Sequence, residues 1–225
     1  ANVDGILVQL PLPKHINEQI ILDSIHPDKD ADGFHPLNVG KLSIASHNDE
    51  NLLIPCTPYG CLIMLKGLGV ELSGKNAVVV GRSNIVGKPM ASLLLSSNCT
   101  VTITHSKTKR LKEHCNNADI LISAIGRPEM IDDTYIKPNT IIIDVGINRL
   151  KLDDAKTNEK KYKIVGDINF EKVINVSQKI TPVPGGVGPM TIACLMHNTF
   201  KAAYINKNEK NTLISFSYFN DELQN

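Results

Sequence analysis

From residue 77 onward the chain carries short runs of four to six residues rich in valine, isoleucine and other strand-forming side chains, and follows the first two with helix-forming sequence. Runs of this kind fall at 77–80, 100–104, 119–124, 140–145 and 180–183, with helical segments expected at 88–97 and 109–116. Near-continuous apolar strands, rather than alternating ones, are those buried on both faces of a parallel sheet. Their alternation with helices predicts an α/β chain with a Rossmann-like, doubly wound parallel sheet. In such a sheet a ligand lies beyond the carboxyl ends of the strands. Gly81, His105, Gly126 and Gly146 all fall at such ends.

The first of these turns reads Val-Val-Val-Gly-Arg-Ser-Asn-Ile-Val-Gly-Lys-Pro over residues 78–89. A glycine-containing strand-to-helix turn directs backbone N–H groups and the positive helix terminus at a phosphate. The usual dinucleotide fingerprint is Gly-x-Gly-x-x-Gly. Here Ser83 stands at the second glycine and Gly87 falls one residue late, so on local grounds a merely tight turn competes with a cofactor loop. The second strand ends in Thr104-His105-Ser106-Lys107, without the acid that accepts the ribose hydroxyls of NAD. Arg82, Ser106 and Lys107 offer cations and a hydroxyl, the donors a 2′-phosphate requires, which favours NADP over NAD. The competing reading is that Arg82 and Lys107 are solvated surface charges.

Residues 180–191 place three prolines and three glycines in a strand-to-helix passage. Proline restricts φ while glycine permits close approach, so the combination builds a fixed loop able to lie flat against a ligand; a purely structural crossover is the alternative. Pro189 opens a last helix in which Ile192, Leu195, Met196, Thr199 and Ala203 follow helical spacing and form its docking face. Near the start, residues 6–10 read as an interior strand, and Asn17 as the cap of a helix that Pro27 ends. Thr57-Pro58 fits a helix start running to about residue 66. Residues 151–163 are dense in charge and read as a solvated surface excursion.

With 24 basic and 23 acidic side chains the formal net charge is +1, so no long-range field selects nucleic acid or an anionic membrane. No apolar run reaches the roughly 20 residues of a membrane-spanning helix. The five cysteines have neither Cys-x-x-Cys spacing nor histidines at zinc-like spacing, which predicts reduced thiols, no metal and a cytoplasmic setting, with a mitochondrion or plastid as the alternatives that a targeting segment upstream of Ala1 would select. Cys56 has no histidine or acid near it in sequence and reads as a packed thiol; His35 and His105 read as structural.

Five segments occur in order: Val8-Gln9-Leu10-Pro11-Leu12-Pro13, Lys29-Asp30-Ala31-Asp32-Gly33, Pro55-Cys56-Thr57-Pro58, Gly81-Arg82-Ser83-x-x-Val86-Gly87-x-Pro89, and Pro184-Gly185-Gly186-Val187-Gly188-Pro189-Met190-Thr191. Together they resemble the bifunctional methylenetetrahydrofolate dehydrogenase/cyclohydrolase family over residues 3–204. The resemblance implies an enzyme of one-carbon metabolism and purine biosynthesis, with folate held between a catalytic and a Rossmann-like domain. Such an enzyme oxidises 5,10-methylenetetrahydrofolate with NADP and hydrolyses the methenyl product to 10-formyltetrahydrofolate. By position, Gln9 and Asp32 match catalytic residues, and Val8, Gln9, Leu10 and Asp32 match the folate site. Thr57, Gly81, Arg82, Ser83, Ser106 and Ile147 match cofactor-binding positions. Pro184, Gly185, Gly186, Gly188 and Thr191 match the loop over the substrate. The resemblance also implies a homodimer through the Rossmann-like domain.

The implied domains are residues 1–57, the later part of the folate-binding domain; 58–183, the NADP-binding domain; 184–205, a loop and helix returning to the first; and 206–225, a mobile tail. The family's Tyr-x-x-x-Lys device is not found: no tyrosine among Tyr59, Tyr135, Tyr162, Tyr204 and Tyr218 has lysine four residues on. The expectation is that it lies upstream of Ala1, together with any targeting segment. A chain without it is expected to be poorly soluble and to lose hydrolysis more than dehydrogenation. Rival readings are a non-catalytic folate or dinucleotide module, and another two-domain NADP dehydrogenase resembling shikimate dehydrogenases, against which the 184–191 loop speaks. A piece of a trifunctional enzyme fused to a formate ligase has no support, since no P-loop follows the last helix.

Overall fold

The structure, a computed structural model, describes residues 2–44, 51–152 and 161–207. It divides into two compact units, one of Ala1–Glu71 with Thr191–Asn225 and one of Leu72–Met190. The division at residue 71, rather than 57, has a packing cause. Helix α3 (Cys56–Gly67) buries Cys61, Leu62 and Leu65 and shares a buried hydrogen bond with Asn198, so it belongs with the first unit. At the other end the division falls within helix α7 (Val187–Lys207), not at residue 184.

In the second unit five strands form a parallel sheet: β1 (Asn76–Val80), β2 (Thr100–Thr104), β3 (Ile120–Ser123), β4 (Ile141–Asp144) and β7 (Lys179–Ile180). Their order is β2-β1-β3-β4-β7. All four pairings are parallel, with Val80 opposite both Thr104 and Ser123. The doubly wound sheet expected from the sequence is therefore present, and its five strands correspond to the five apolar runs. The chain moves outward from β1 to β2 and then returns to β3 on β1's other side, a switch point that leaves a crevice at the strands' carboxyl ends.

Burial explains why those runs were legible. Every residue of β3 and β4 is buried. Val78, Val80, Leu121 and Ile142 pack with Cys115 of helix α5 (Leu111–Asn116) and with Ile131, Ile168 and Val173. Helix α4 (Gly87–Ser96) packs on β1 and β2, burying Met90, Leu93 and Leu94. Its first turn starts one residue before the expected helix, at Gly87.

Three expectations need correction. Residues 6–10 form no strand: Ile6 alone makes a parallel bridge, to Asp30, and Leu7 is 45% exposed, because a run of this kind is buried only where neighbouring strands flank it. Residues 151–163 are not simply an excursion. Their described ends belong to an antiparallel ribbon of β5 (Asn148–Leu152) and β6 (Lys161–Val165); charged side chains suit its solvated faces. Residues 153–160 lie outside the described residues, as does the tail from 208.

The third correction concerns α7. Ile192 and Met196, on the expected docking face, are 65% and 68% exposed. The buried stripe is Cys194, Asn198 and Ala202, spaced four apart. Small and polar side chains let this helix approach backbone closely, and Asn198 Nδ2 donates to the carbonyls of Ala31 (2.9 Å) and Ile54 (2.8 Å). Hydrogen bonding to backbone, not hydrophobicity, selects the face. The helix capped by Asn17 is α1 (Glu18–Ser24), where Asn17 Oδ1 accepts from the N–H groups of Gln19 and Ile20. Helix α2 (Pro36–Ile44) buries Asn38 and Leu42, and α6 (Phe170–Val173) is a single turn.

Leu121 has no exposed surface at the centre of the sheet. Leu121→Ala should lower unfolding free energy by about 2–5 kcal/mol, read by denaturant titration.

Candidate functional site

In the second unit the strand-end turns assemble along one edge. Gly81 follows β1 with φ +128, and its N–H donates to Thr104 O at 2.9 Å, tying the end of β1 to the end of β2. A Cβ on Gly81 would overlap the carbonyl oxygen of Ala124, beyond β3; one on Gly87 would overlap the carbonyl oxygen of Gly81. Both glycines are therefore required by close backbone approach. Ser83 takes over the start of α4. Its Oγ accepts from the N–H groups of Val86 (3.1 Å) and Gly87 (3.2 Å), the residue before α4 and the first residue of the helix. A serine at the fingerprint's second glycine thus spends its hydroxyl oxygen on the helix start, and its hydroxyl proton can be offered outward.

Arg82 and Ser83 are exposed, as are Ser106 and Lys107 at the end of β2. The turn that carries them is closed by His105, whose Nδ1 accepts from Lys107 N–H and whose carbonyl accepts from Thr108 N–H. His105 is thus a turn-former, and so is His35, whose Nδ1 accepts from Leu37 N–H. Two cations and two hydroxyls bordering one glycine turn fit the phosphates of a dinucleotide. Ile147 follows β4 with 69% exposure. The loop after β7 begins at Thr181, whose Oγ1 accepts from Asp144 N–H at 2.8 Å. Pro184 and Gly185 are exposed, Gly185 has φ +101, and Gly188 is half-buried. Gly186 is buried against Thr181 and Pro182, where a Cβ would collide with both.

The carboxyl edge also holds residues that sequence reasoning passed over. Asp144 and Asp167 are buried polar groups at the ends of β4 and β6. Asp144 accepts from Gly146, Asp167 and Ile168 N–H groups. Burial nevertheless pushes its carboxyl up to about 6, against those three donors. The signal was present: Asp144 closes an isoleucine run just as Gln9 closes Ile6-Leu7-Val8.

In the first unit the bridge between Ile6 and Asp30 sets two candidate segments side by side. Ile6 N–H donates to Lys29 O and Ala31 N–H to Ile6 O. Val8, Gln9 and Leu10 leave the bridge on one segment and Asp32 on the other. Val8 and Leu10 are half-buried, and the exposed Gln9 donates from Nε2 to Leu10 O at 3.1 Å. Asp30 organises the turn that carries Asp32. Its Oδ1 accepts from Gly33 N–H (3.1 Å), and its Oδ2 from His35 N–H (2.7 Å) and Asn38 Nδ2 (2.9 Å). Asp32 itself is half-buried. Desolvation, with the Asp30 charge adding to it, raises its carboxyl to about 6.

Thr57 and Thr191 meet hydroxyl to hydroxyl at 3.0 Å. Cys56, beside Thr57, donates from Sγ to Ala31 O at 3.3 Å, and burial pushes its thiol far above the usual range, as expected of a packed rather than reactive cysteine. All five cysteines are free and buried. Among the described residues no group of three or more His, Cys, Asp or Glu is placed to hold a metal ion. No helix among them is long and apolar enough to cross a membrane.

Comparison with known proteins places this geometry. Residues 55–207 match the NAD(P)-binding domain of the tetrahydrofolate dehydrogenase/cyclohydrolase family, and residues 1–32 match its catalytic domain. The bifunctional protein FolD of Rhodospirillum rubrum is 58% identical over 200 residues, covering 89% of this chain and 67% of that protein. That of Ehrlichia canis is 56% identical over 202 residues, covering 90% and 65%. The chain thus spans roughly two thirds of the length of the relatives it matches. Among solved structures, the bifunctional FolD dehydrogenase/cyclohydrolase of Campylobacter jejuni superposes with TM-score 0.82 at 48% identity, covering 91% of this chain and 68% of that one. The FolD enzyme of Trypanosoma brucei, solved with NADP cofactor and inhibitor, gives 0.83 at 39% identity, with coverages of 91% and 68%. On fold, turn chemistry and sequence alike, the chain belongs to the tetrahydrofolate dehydrogenase/cyclohydrolase family.

Proposed function

We propose that this chain serves NADP-dependent oxidation of 5,10-methylenetetrahydrofolate to the methenyl form and hydrolysis of that product to 10-formyltetrahydrofolate. The observation that carries the reading is the Gly81-Arg82-Ser83 turn at the sheet's switch point, bordered by exposed Ser106 and Lys107. Gly81 and Gly87 let the turn close on itself, Ser83 holds the N–H groups that lead into α4, and Arg82 offers a planar cation to a 2′-phosphate. When bound, NADP supplies the hydride acceptor. Loss of hydride from the methylene carbon is helped by the lone pair of the adjoining folate nitrogen, so the chain's task in that step is chiefly orientation. We assign that task to Val8, Gln9 and Leu10, to Thr57 and Ile147, and to the loop of Pro184, Gly185, Gly186 and Gly188 with Thr191.

Asp32 is the polar group proposed to hold the pterin ring. With its carboxyl raised to about 6, it passes from hydrogen-bond donor to pure acceptor just below neutral pH. Hydrolysis needs a proton carrier as well as orientation. The Tyr-x-x-x-Lys arrangement implied for that step is not among these 225 residues, so the part proposed for Gln9 and Asp32 is support of the reacting carbon and ring. We further propose a homodimer through the dinucleotide unit, whose edge strand β2 leaves Ile103 42% exposed, and a cytoplasmic location, which the five free cysteines support.

Arg82→Ala should weaken NADP binding about tenfold while leaving NAD binding nearly unchanged, read by calorimetric titration of each dinucleotide. An unaltered preference would remove Arg82 from the 2′-phosphate site. A second expectation concerns Asp32. Its folded value of about 6 lies above its ordinary 3.8, so its stabilising contribution is complete below about pH 4 and is lost as pH rises through 6. Asp32→Asn should flatten the fall in melting temperature over that window relative to wild type, and parallel curves would refute the assignment.

A further inference from the structure

Asp167 follows Gly166 just after β6, and its side chain has no exposed surface. Its carboxylate accepts from three consecutive backbone N–H groups beyond β3. Oδ2 takes those of Ile125 (2.7 Å) and Gly126 (3.2 Å), and Oδ1 takes that of Arg127 (2.9 Å). Two side chains add to these: Ser123 Oγ at 3.4 Å from Oδ2 and Asn148 Nδ2 at 2.9 Å from Oδ1. Successive N–H groups converging on one point form the concavity with which backbone binds anions. Here the anion is a side chain of the same fold.

The carboxylate is itself held. Asp167 N–H and Ile168 N–H donate to Asp144, on β4. A Cβ on Gly146 would overlap the Asp167 carboxylate, and one on Gly166 would overlap that of Asp144. Two aspartates and two glycines therefore interlock between the ends of β4 and β6. Ala124 precedes the three N–H donors, and its carbonyl oxygen is the atom against which Gly81 is pressed. Asn148 follows Ile147. One buried carboxylate is thus linked by hydrogen bonds to residues 125–127, whose neighbour Ala124 is packed against Gly81, and to Asn148 beside Ile147.

We propose that Asp167 is a positioning residue for dinucleotide binding: its carboxylate fixes the turn at 124–127, and so the seat of Gly81, while its bond to Asn148 fixes the turn bearing Ile147. This rests on the reading of the Gly81 turn as a cofactor loop. Because Asp167 acts through backbone shared by both dinucleotides, its loss should weaken NADP and NAD by the same factor, unlike loss of Arg82. A residue that only stabilised the fold would lower the melting temperature and leave the affinity of the folded chain untouched.

The test is calorimetric titration of the full chain with NADP and with NAD, alongside thermal melting, for wild type, Asp167→Asn and Asn148→Ala. Asp167→Asn should raise both dissociation constants about tenfold or more, the scale of losing a hydrogen bond to a charged group. Asn148→Ala, which removes one of five donors, should raise both about threefold, with melting close to wild type. If Asp167→Asn fails to fold, Asn148→Ala decides the matter. Wild type that binds while the folded variants bind equally well, or variants that lose only one dinucleotide, would overturn the inference. Wild type that binds neither dinucleotide would instead overturn the underlying cofactor reading, and this inference with it.

Discussion

The second unit turns on the placement of two buried carboxylates where the strands of a parallel sheet end. A strand's last N–H and C=O groups lose their ladder partners at the edge, and each must find another or carry the cost of burial unpaired. Asp167 and Asp144 take up six backbone N–H groups between them, from residues 125–127, 146, 167 and 168. Everything proposed for the cofactor edge depends on turns being held there without a bound ligand. The glycines at 146 and 166 are the steric counterpart, since neither carboxylate would fit beside a Cβ.

The first unit solves a similar problem in the same way. Asp30, 1% exposed, gathers Gly33 and His35 N–H groups and the Asn38 amide, which fixes the turn that presents Asp32. On the other side of that segment Asn198 spans Ala31 and Ile54 carbonyls from α7. A buried polar residue with all its partners in place specifies one arrangement more sharply than apolar packing does, because each slip leaves a group unpaired.

These contacts also explain what could be read from the chain. The sheet was legible because β3 and β4 are buried on both faces, so their apolar runs are uninterrupted, and because glycines punctuate their ends. The candidate residues at Gly81, Arg82, Ser83 and Ser106 were legible because a turn at a strand end has a local signature. Asp167 was not, since its five donors come from residues 123–127 and 148, far from it in sequence. The face of α7 was misread for a related reason. Pattern reasoning ranks Ile192 and Met196 above Asn198, whereas the amide of Asn198 has backbone carbonyls to satisfy and the two apolar side chains do not.

Asp32 and Asp144 have in common a carboxyl raised to about 6, by burial first and by a neighbouring carboxylate as well, Asp30 for one and Asp167 for the other. Their surroundings differ in a way that separates their roles. Asp144 spends its oxygens on backbone N–H groups, so ionisation there is bound up with the fold of the carboxyl edge. Asp32 stands at the mouth of a turn whose own hydrogen bonds are met by Asp30. A half-buried carboxyl whose supporting turn is already satisfied can change its protonation without unravelling its surroundings. That separation of scaffold from titrating group is what the role proposed for Asp32 requires, although its ionisation, like that of Asp144, costs the fold stability.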